Sequence, residues 1–385
     1  MRKAFQGPPA SDWSGFSIPV KLSPGLNSVR LEARVGGRWA GFHTIPLRVP
    51  WSAWGAHAFR SARFWPGIVL GRPNTLGRLP EWEQEFILGR IEQGAGHSLK
   101  TGAHHAPREV EAEHFPRSRT DAGRLPKLTV VTPSFNQGRY LDATIRSVLG
   151  QEGVRLDYIV RDGGSSDGSG EIVKRHAPRL KAWATEPDGG QADAVRRGFA
   201  AAECGPDDVM AYVNSDDVLM PGAARFVAEY LARHPRVDVV FGHRVLVDDH
   251  GREVGRWLTP RRSFLDLRIH DFIPQETLFW RRRIWDRVGG IDAGFQYSAD
   301  WDLLLRFAAA GARFHRLPWF LGQFRIHPAQ KTATQAAETG VREETILRQR
   351  SLGRQPTRDE IDADRKRAQV ESAFLATLWR RGWRV

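Results

Sequence analysis

An α/β fold on a mostly parallel sheet, preceded by a small β-rich unit, is the architecture this sequence predicts. Three observations predict it. From Lys127 onward, short apolar strands alternate with helical stretches. Those strands end in loops rich in carboxylates, and residues 26–50 alternate apolar and polar side chains around a Gly-Gly pair. The 385 residues, 41% hydrophobic and 26% charged, suffice for two units with a sizeable core.

Taken in order, Val29, Leu31, Ala33 and Val35 alternate with polar partners, Gly36-Gly37 signals a hairpin, and Trp39, Ile45, Leu47 and Val49 continue beyond it. Residues 1–50 are therefore expected to be a β-rich accessory unit. Residues 51–126, with scattered Gly, Pro, His and Trp and one helix-like piece at 81–92, read as a linker. The main domain is expected over 127–330. Strands are predicted at LTVVTPSF, 156–161, 180–185 and 208–213, and helices at 139–149, 170–176 and 191–202. Next come a hairpin turning at 249–251 and a helix over 300–310. A helical extension over 331–385 ends in the basic amphipathic run ESAFLATLWRRGWRV.

The net charge of +13 suits a phosphate-bearing substrate or an anionic membrane face. No zinc-finger spacing or RNA-binding aromatic motif accompanies it, so no nucleic-acid partner is expected. With a mean hydropathy of -0.44, the chain has no apolar run near the ~18 residues of a membrane span, and its opening residues do not read as a signal peptide. The single cysteine, Cys204, excludes a disulfide framework within the monomer and fits a reducing, cytoplasmic setting. Two uses are open to the terminal helix. It can touch the inner face of a membrane through Phe374, Leu378, Trp379 and Trp383, or dock on the protein's own surface, which is favoured.

Ligands of such sheets lie at the carboxyl ends of the strands. Those ends carry Pro133-Ser134-Phe135-Asn136, Asp162-Gly163-Gly164, Glu186-Pro187-Asp188 and Asn214-Ser215-Asp216-Asp217. Neighbouring carboxylates at 216 and 217 repel unless a cation neutralises them, and Mg²⁺ or Mn²⁺ bridging a diphosphate is such a cation. A plain turn with an Asp cap is the alternative, with Pro221 opening the next helix. Asp162 suits a planar base edge, or belongs to an ordinary turn capped by Asp167 or Ser169. His327 either completes a metal shell or packs beside Pro328. Gln275, Arg281, Arg282 and Arg283 are further candidates for acceptor or diphosphate contacts.

In order and spacing, VVTPSFNQGRYLDATIRSVLGQ, VRDGGSSDGS, EPDGGQADAVRRGF, YVNSDDVLMPGA and PQETLFWRRRIWDRVGGIDAGFQYSADWDLLLRF resemble the family-two nucleotide-sugar glycosyltransferases, over roughly 127–327. The resemblance implies a GT-A fold (a Rossmann-like mixed sheet), a Mn²⁺ or Mg²⁺ cofactor and inverting displacement. The donor would be a UDP- or GDP-sugar and the acceptor a glycan or lipid-linked glycan, as in surface polysaccharide biosynthesis. By position, Pro133, Phe135 and Asn136 fall where the family meets base and ribose, and Asp162 where it reads the base. Asp188 and Asn214 join the nucleotide-sugar side. Asp216 matches the last Asp of the metal motif, with Asp217 beside it. Asn214 departs from that motif's first Asp but keeps the capacity to bond a ribose hydroxyl. Asp300 matches the general base, although Ala299 stands where Glu is common, which leaves Asp302 as the competing position.

The chemistry agrees with this mapping, because an acceptor hydroxyl needs a carboxylate to take its proton and the departing diphosphate needs a cation. A nucleotidyltransferase on a related sheet is one alternative, although TPSFNQG is a poor version of its phosphate loop. A non-catalytic nucleotide-sugar-binding protein is the other, and it would have no use for a base at 300.

Overall fold

The computed structural model describes the backbone of 20–21, 27–35 and 38–47, and residues 105–385 save 117–119, 263 and 381–383. The chain divides into two compact units, Met1–Gly67 and Ile68–Val385. In the first, β1 (Val20–Lys21), β2 (Asn27–Val35) and β3 (Arg38–Leu47) form an antiparallel sheet in that order. Val35 pairs with Arg38, the two residues that flank the Gly-Gly pair in the sequence; positions 36 and 37 themselves lie outside the described residues. The helix expected at 81–92, Val49 and Trp383 lie outside the described residues.

In the second unit, β4 (Leu128–Ser134) leads through α1 (Gly138–Leu149) to β5 (Leu156–Asp162) and α2 (Ser169–His176). Then come β6 (Ala182–Thr185), α3 (Gln191–Ala200), β7 (Val209–Tyr212), β8 (Val218–Leu219) and α4 (Ala223–Arg233). The hairpin β9 (Val239–Val247) and β10 (Glu253–Trp257) is followed by α5 (Phe264–Leu267), β11 (Phe279–Arg281), α6 (Arg282–Val288), α7 (Ala299–Ala309) and β12 (Phe314–Arg325). The strands form one sheet in the order β6-β5-β4-β7-β11-β9-β12-β8, with β10 on β9. The pairs β6/β5, β5/β4, β4/β7 and β9/β12 are parallel, whereas β11, β8 and β10 run antiparallel to their neighbours. The sheet is therefore mixed.

Helices cover both faces, which is why β4 is buried at every position. Val130, Tyr158 and Val160 turn to the face covered by Leu141 and Ile145 of α1 and Phe226 of α4. Val131, Ile159 and Met210 turn to Val195 and Phe199 of α3 and Leu304 and Phe307 of α7. The two-residue period of a strand produces this division. Contact between α3 and β4 is close enough that a Cβ on Gly198 would lie 2.6 Å from Val131 Cγ1.

Two stretches differ from expectation. Pro221 precedes α4, whose first turn begins after Gly222 in the left-handed region (φ 84°). Residues 105–116 and 120–125, within the stretch read as linker, pack on the rest of this unit. Phe115 lies 4.9 Å from the Phe226 ring and 5.5 Å from Trp319, Leu125 is buried, and Arg108 pairs with the buried Glu253 at 2.6 Å.

After β12 come α8 (Lys331–Thr334), a π-helical turn (Ala336–Gly340), α9 (Val341–Leu352) and α10 (Arg358–Arg380). The apolar face of α10 is taken up by the protein itself. Phe374 and Leu375 are buried, and Trp379 meets the Phe320 ring at 5.3 Å with Arg256 stacked 4.7 Å away. Asp364 of α10 binds Arg262 and His270. Among the described residues, no helix is long and apolar enough to cross a membrane.

Candidate active site

The loops after β4, β5 and β6 interlock at the carboxyl edge of the sheet. Pro133 is buried in β4, beyond the last β4–β7 pair of Val131 with Tyr212, where a missing N–H is tolerated. The next side chains emerge: Phe135 is 63% exposed, and Asn136 is held at φ 52°. Asn136 N–H donates to Ser165 Oγ at 2.8 Å, and its Oδ1 accepts from Ser166 N–H at 3.0 Å, tying the first loop to the second.

In the second loop Asp162 is 2% exposed, and its oxygens accept from Ser165 N–H at 3.1 Å and Ser165 Oγ at 2.5 Å. Roughly half of a carboxylate's four lone-pair sites remain. Asp167 supplies the capping interaction, accepting from Ser169 N–H at 3.1 Å and from Gly138 N–H at 2.7 Å where α1 begins. Gly163 sits between two candidates, since a Cβ there would lie 3.3 Å from Phe135 and 3.2 Å from Asp188 Oδ2. Asp188 Oδ1 accepts from Gly190 N–H at 2.8 Å. The structure thus gathers Phe135, Asn136, Asp162 and Asp188 into one wall, an exposed aromatic beside carboxylates.

The turn after β7 sends its two aspartates in different directions. Asp216 is half-buried, and its Oδ2 lies 3.0 Å from Nε2 of the buried His327. Asp217 is 2% exposed, and its Oδ1 accepts from Arg325 N–H at 3.1 Å. Burial, then the charges of Asp216 and Glu276, pushes the Asp217 carboxyl well above the ordinary carboxylate range. Asp217 is thus buried against the Arg325 backbone, whereas Asp216 faces His327. Among the described residues no three His, Cys, Asp or Glu side chains form a metal cluster, so the acidic-plus-imidazole set at this turn is the pair 216 and 327. His327 is held by its N–H donating to Gln330 Oε1 at 2.9 Å and by the Tyr140 ring 4.7 Å away.

Asn214 Nδ2 donates to Gln275 Oε1 at 3.0 Å, and its Oδ1 accepts from Gln191 Nε2. Gln275 in turn donates to the Tyr212 carbonyl at 2.8 Å, so 214, 275 and 191 form one polar floor. Arg281, Arg282 and Arg283 are not part of it. Because β11 runs antiparallel to β7, Arg281 pairs with Val209 at the opposite end of the sheet. There Arg281 donates to the carbonyls of Val237, Asp207 and Leu231, each at 2.8 Å, while Arg282 pairs with Asp286 and Arg283 with Asp207 and Asp238.

Asp300 and Asp302 share the first turn of α7 but not an environment. Asp302 is fully buried and paired with Arg306 at 2.7 Å and with Arg350. Asp300, among the described residues, has no such ion pair; its Oδ1 accepts from Trp301 N–H at 2.9 Å. Burial raises its carboxyl above the ordinary Asp range, opposed by the Trp301 and Asp300 amides and by Lys331 and Arg244. Asp271 is raised well above its range by burial and then by Asp300. Sequence reasoning missed Gln191, Asp271, Glu276, Arg325 and Lys331. Gln191, three residues past Asp188, Glu276, next to Gln275, and Lys331, four residues past His327, had a positional signal to find them by.

Residues 129–300 match the family described as glycosyl transferase family 2. An uncharacterised glycosyltransferase of Mycobacterium tuberculosis is 30% identical over 191 residues, 48% of this chain and 69% of its relative. A PGL/p-HBAD biosynthesis glycosyltransferase of Mycobacterium bovis is 26% identical over 186 residues, 47% of this chain and 69% of that one. Among solved structures, S. aureus TarS with UDP aligns at a TM-score of 0.46 and 17% identity, covering 62% of this chain and 69% of TarS. The chain belongs to glycosyl transferase family 2.

Proposed function

We propose that this chain is an inverting, divalent-cation-dependent transferase that moves a sugar from a UDP- or GDP-sugar to a hydroxyl of a glycan or lipid-linked glycan. Surface polysaccharide or glycan biosynthesis is the setting, in keeping with relatives named for O-antigen biosynthesis in Myxococcus xanthus and for PGL/p-HBAD biosynthesis in Mycobacterium bovis. The observation that carries the mechanism is the contrast within one helical turn: Asp302 is saturated by arginines, while Asp300 keeps its carboxylate for chemistry.

The residues at the β7 turn fit a cation. Asp216 and His327 offer one oxygen and one nitrogen donor 3.0 Å apart, of the types such a cation accepts. These two residues would hold Mn²⁺ or Mg²⁺, which when bound supplies positive charge to the departing diphosphate. Phe135 and Asp162 serve the base, Asp162 by accepting the N–H of uracil or guanine, and Asp188 and Asn214 serve the ribose and sugar side. Asp300 takes the proton from the acceptor hydroxyl as its oxygen attacks the anomeric carbon and the bond to the diphosphate breaks. A raised carboxyl is the stronger base for this purpose. The N-terminal β unit is read as an accessory module.

Asp300→Asn keeps shape but cannot take a proton, so transfer should fall ~10²–10⁴-fold while nucleoside diphosphate affinity holds. Mn²⁺ with nucleoside diphosphate should raise the Tm of wild type and variant alike by more than either alone. Full turnover in Asp300→Asn would refute the base, and turnover and nucleotide affinity both unchanged in EDTA would refute the cation.

A further inference from the structure

The helix carrying Asp300 has no side-chain cap of its own, since Ser298 at its start makes no capping bond. The amides just ahead of it converge on a carboxylate from another part of the chain. Glu343, buried near the start of α9, accepts from Gln296 N–H on Oε1 at 2.8 Å. Its Oε2 accepts from Tyr297 N–H at 2.9 Å and from Ser298 N–H at 2.8 Å. Three consecutive amides on one carboxylate are charge-assisted bonds, stronger and more directional than neutral ones. The carbonyl side of the same segment is held too: Lys331 Nζ donates to Gln296 O at 2.7 Å and to Gln191 Oε1 at 2.5 Å, in the polar floor around Asn214. Close approach of α9 depends on Gly340, where a Cβ would come within 2.9 Å of the Tyr297 ring.

We propose that Glu343 is a positioning residue for Asp300: by clamping 296–298 it fixes the first turn of α7, so that the carboxylate two residues on stays within reach of the acceptor hydroxyl. The inference rests on the reading of Asp300 as the base. It places part of the catalytic apparatus in the helices after β12, beyond the 129–300 stretch that matches the family. The stake is geometric, because a 1 Å displacement of a catalytic group is worth ~10²-fold in rate. Gln at 343 keeps the shape but turns an N–H toward amides that themselves donate. Asp keeps the charge and gives up one methylene of reach.

Glu343→Gln, Glu343→Asp, Glu343→Ala and Asp300→Asn should be compared in the full chain. The assay measures nucleoside diphosphate released from whichever UDP- or GDP-sugar turns over fastest, with water or a methyl glycoside as acceptor. Glu343→Gln should lower kcat about 10- to 100-fold with donor KM and nucleotide affinity nearly unchanged, and Glu343→Asp should recover most of the loss. Unchanged kcat in Glu343→Gln overturns the inference, as does a parallel loss of kcat, donor KM and Tm in both Gln and Asp variants. Should Glu343→Ala fail to fold, the Gln and Asp variants decide. Wild-type turnover in Asp300→Asn would sink the reading of the base itself. Loss there, beside full turnover in Glu343→Gln, would sink only the role of Glu343.

Discussion

Asn136 is the one non-glycine residue with positive φ among those described, a conformation costing roughly 1–2 kcal/mol for an ordinary L-residue. Its bonds to Ser165 and Ser166 offset that cost, and an Asn is one of the few side chains suited to both demands. The same local reasoning separates the two aspartates of α7. Asp302→Asn should act on stability, because Arg306 and Arg350 lose a buried partner worth about 3 kcal/mol. A Tm drop of several degrees with kcat nearly kept at a temperature where the variant is folded is the expected result; kcat lost at unchanged Tm would contradict it. Asp216 was singled out by its place at the end of a strand, and Asp300 by the family resemblance of its motif. Glu343 and Arg325 were not, since their partners are distant in sequence and no spacing announces them.

At the scale of the element, the start of α7 sets a pH dependence. The Asp300 carboxyl is raised by burial, and Asp271, Glu276, Tyr212 and Tyr297 surround it together with the cations Lys331 and Arg244. A base works deprotonated, so transfer should be lost as pH falls through this raised value, with the acid limb above the ordinary Asp range. Lys331 holds the Asp300 carboxyl down, so Lys331→Met should move that limb to higher pH. A shift to lower pH, or none, in kcat–pH profiles of the two proteins would count against this account. The parallel strands and their crossover helices were readable from alternation of apolar runs. The antiparallel β8 and β11 were not, being two and three residues long. That is why Arg281 was expected near the site: its direction along the sheet, which carries it to the far end, is not encoded in its distance from Gln275.

For the molecule as a whole, the boundary of the catalytic unit lies further upstream than composition suggested. Phe115 completes an aromatic cluster with Phe226 and Trp319, and Arg225 donates to the Thr120 carbonyl at 2.9 Å. A chain beginning at residue 68, where the second unit starts, should therefore keep nucleotide binding, while one beginning at residue 123 should melt earlier than it by several degrees, having lost the half-buried Phe115. Equal melting temperatures would place the boundary after residue 122.

Arg325 has a longer reach than its place at the end of β12 implies. It donates to the Asp216 carbonyl at 2.9 Å through Nε, to the Asp217 carboxylate through its N–H, and to the Asp248 carbonyl at 3.2 Å through Nη1. The β9–β10 hairpin tip is thus bonded to the turn that carries the Asp–His pair, and Tyr140 and Arg139 hold Asp249 from the other side. Deuterium uptake at this tip becomes a remote gauge of occupancy. Amides of 250–252 close onto Asp248, and their exchange should slow when Mn²⁺ and nucleoside diphosphate together steady the turn. Replacing Arg325 by Met should leave the tip exchanging at one rate, ligand or no ligand.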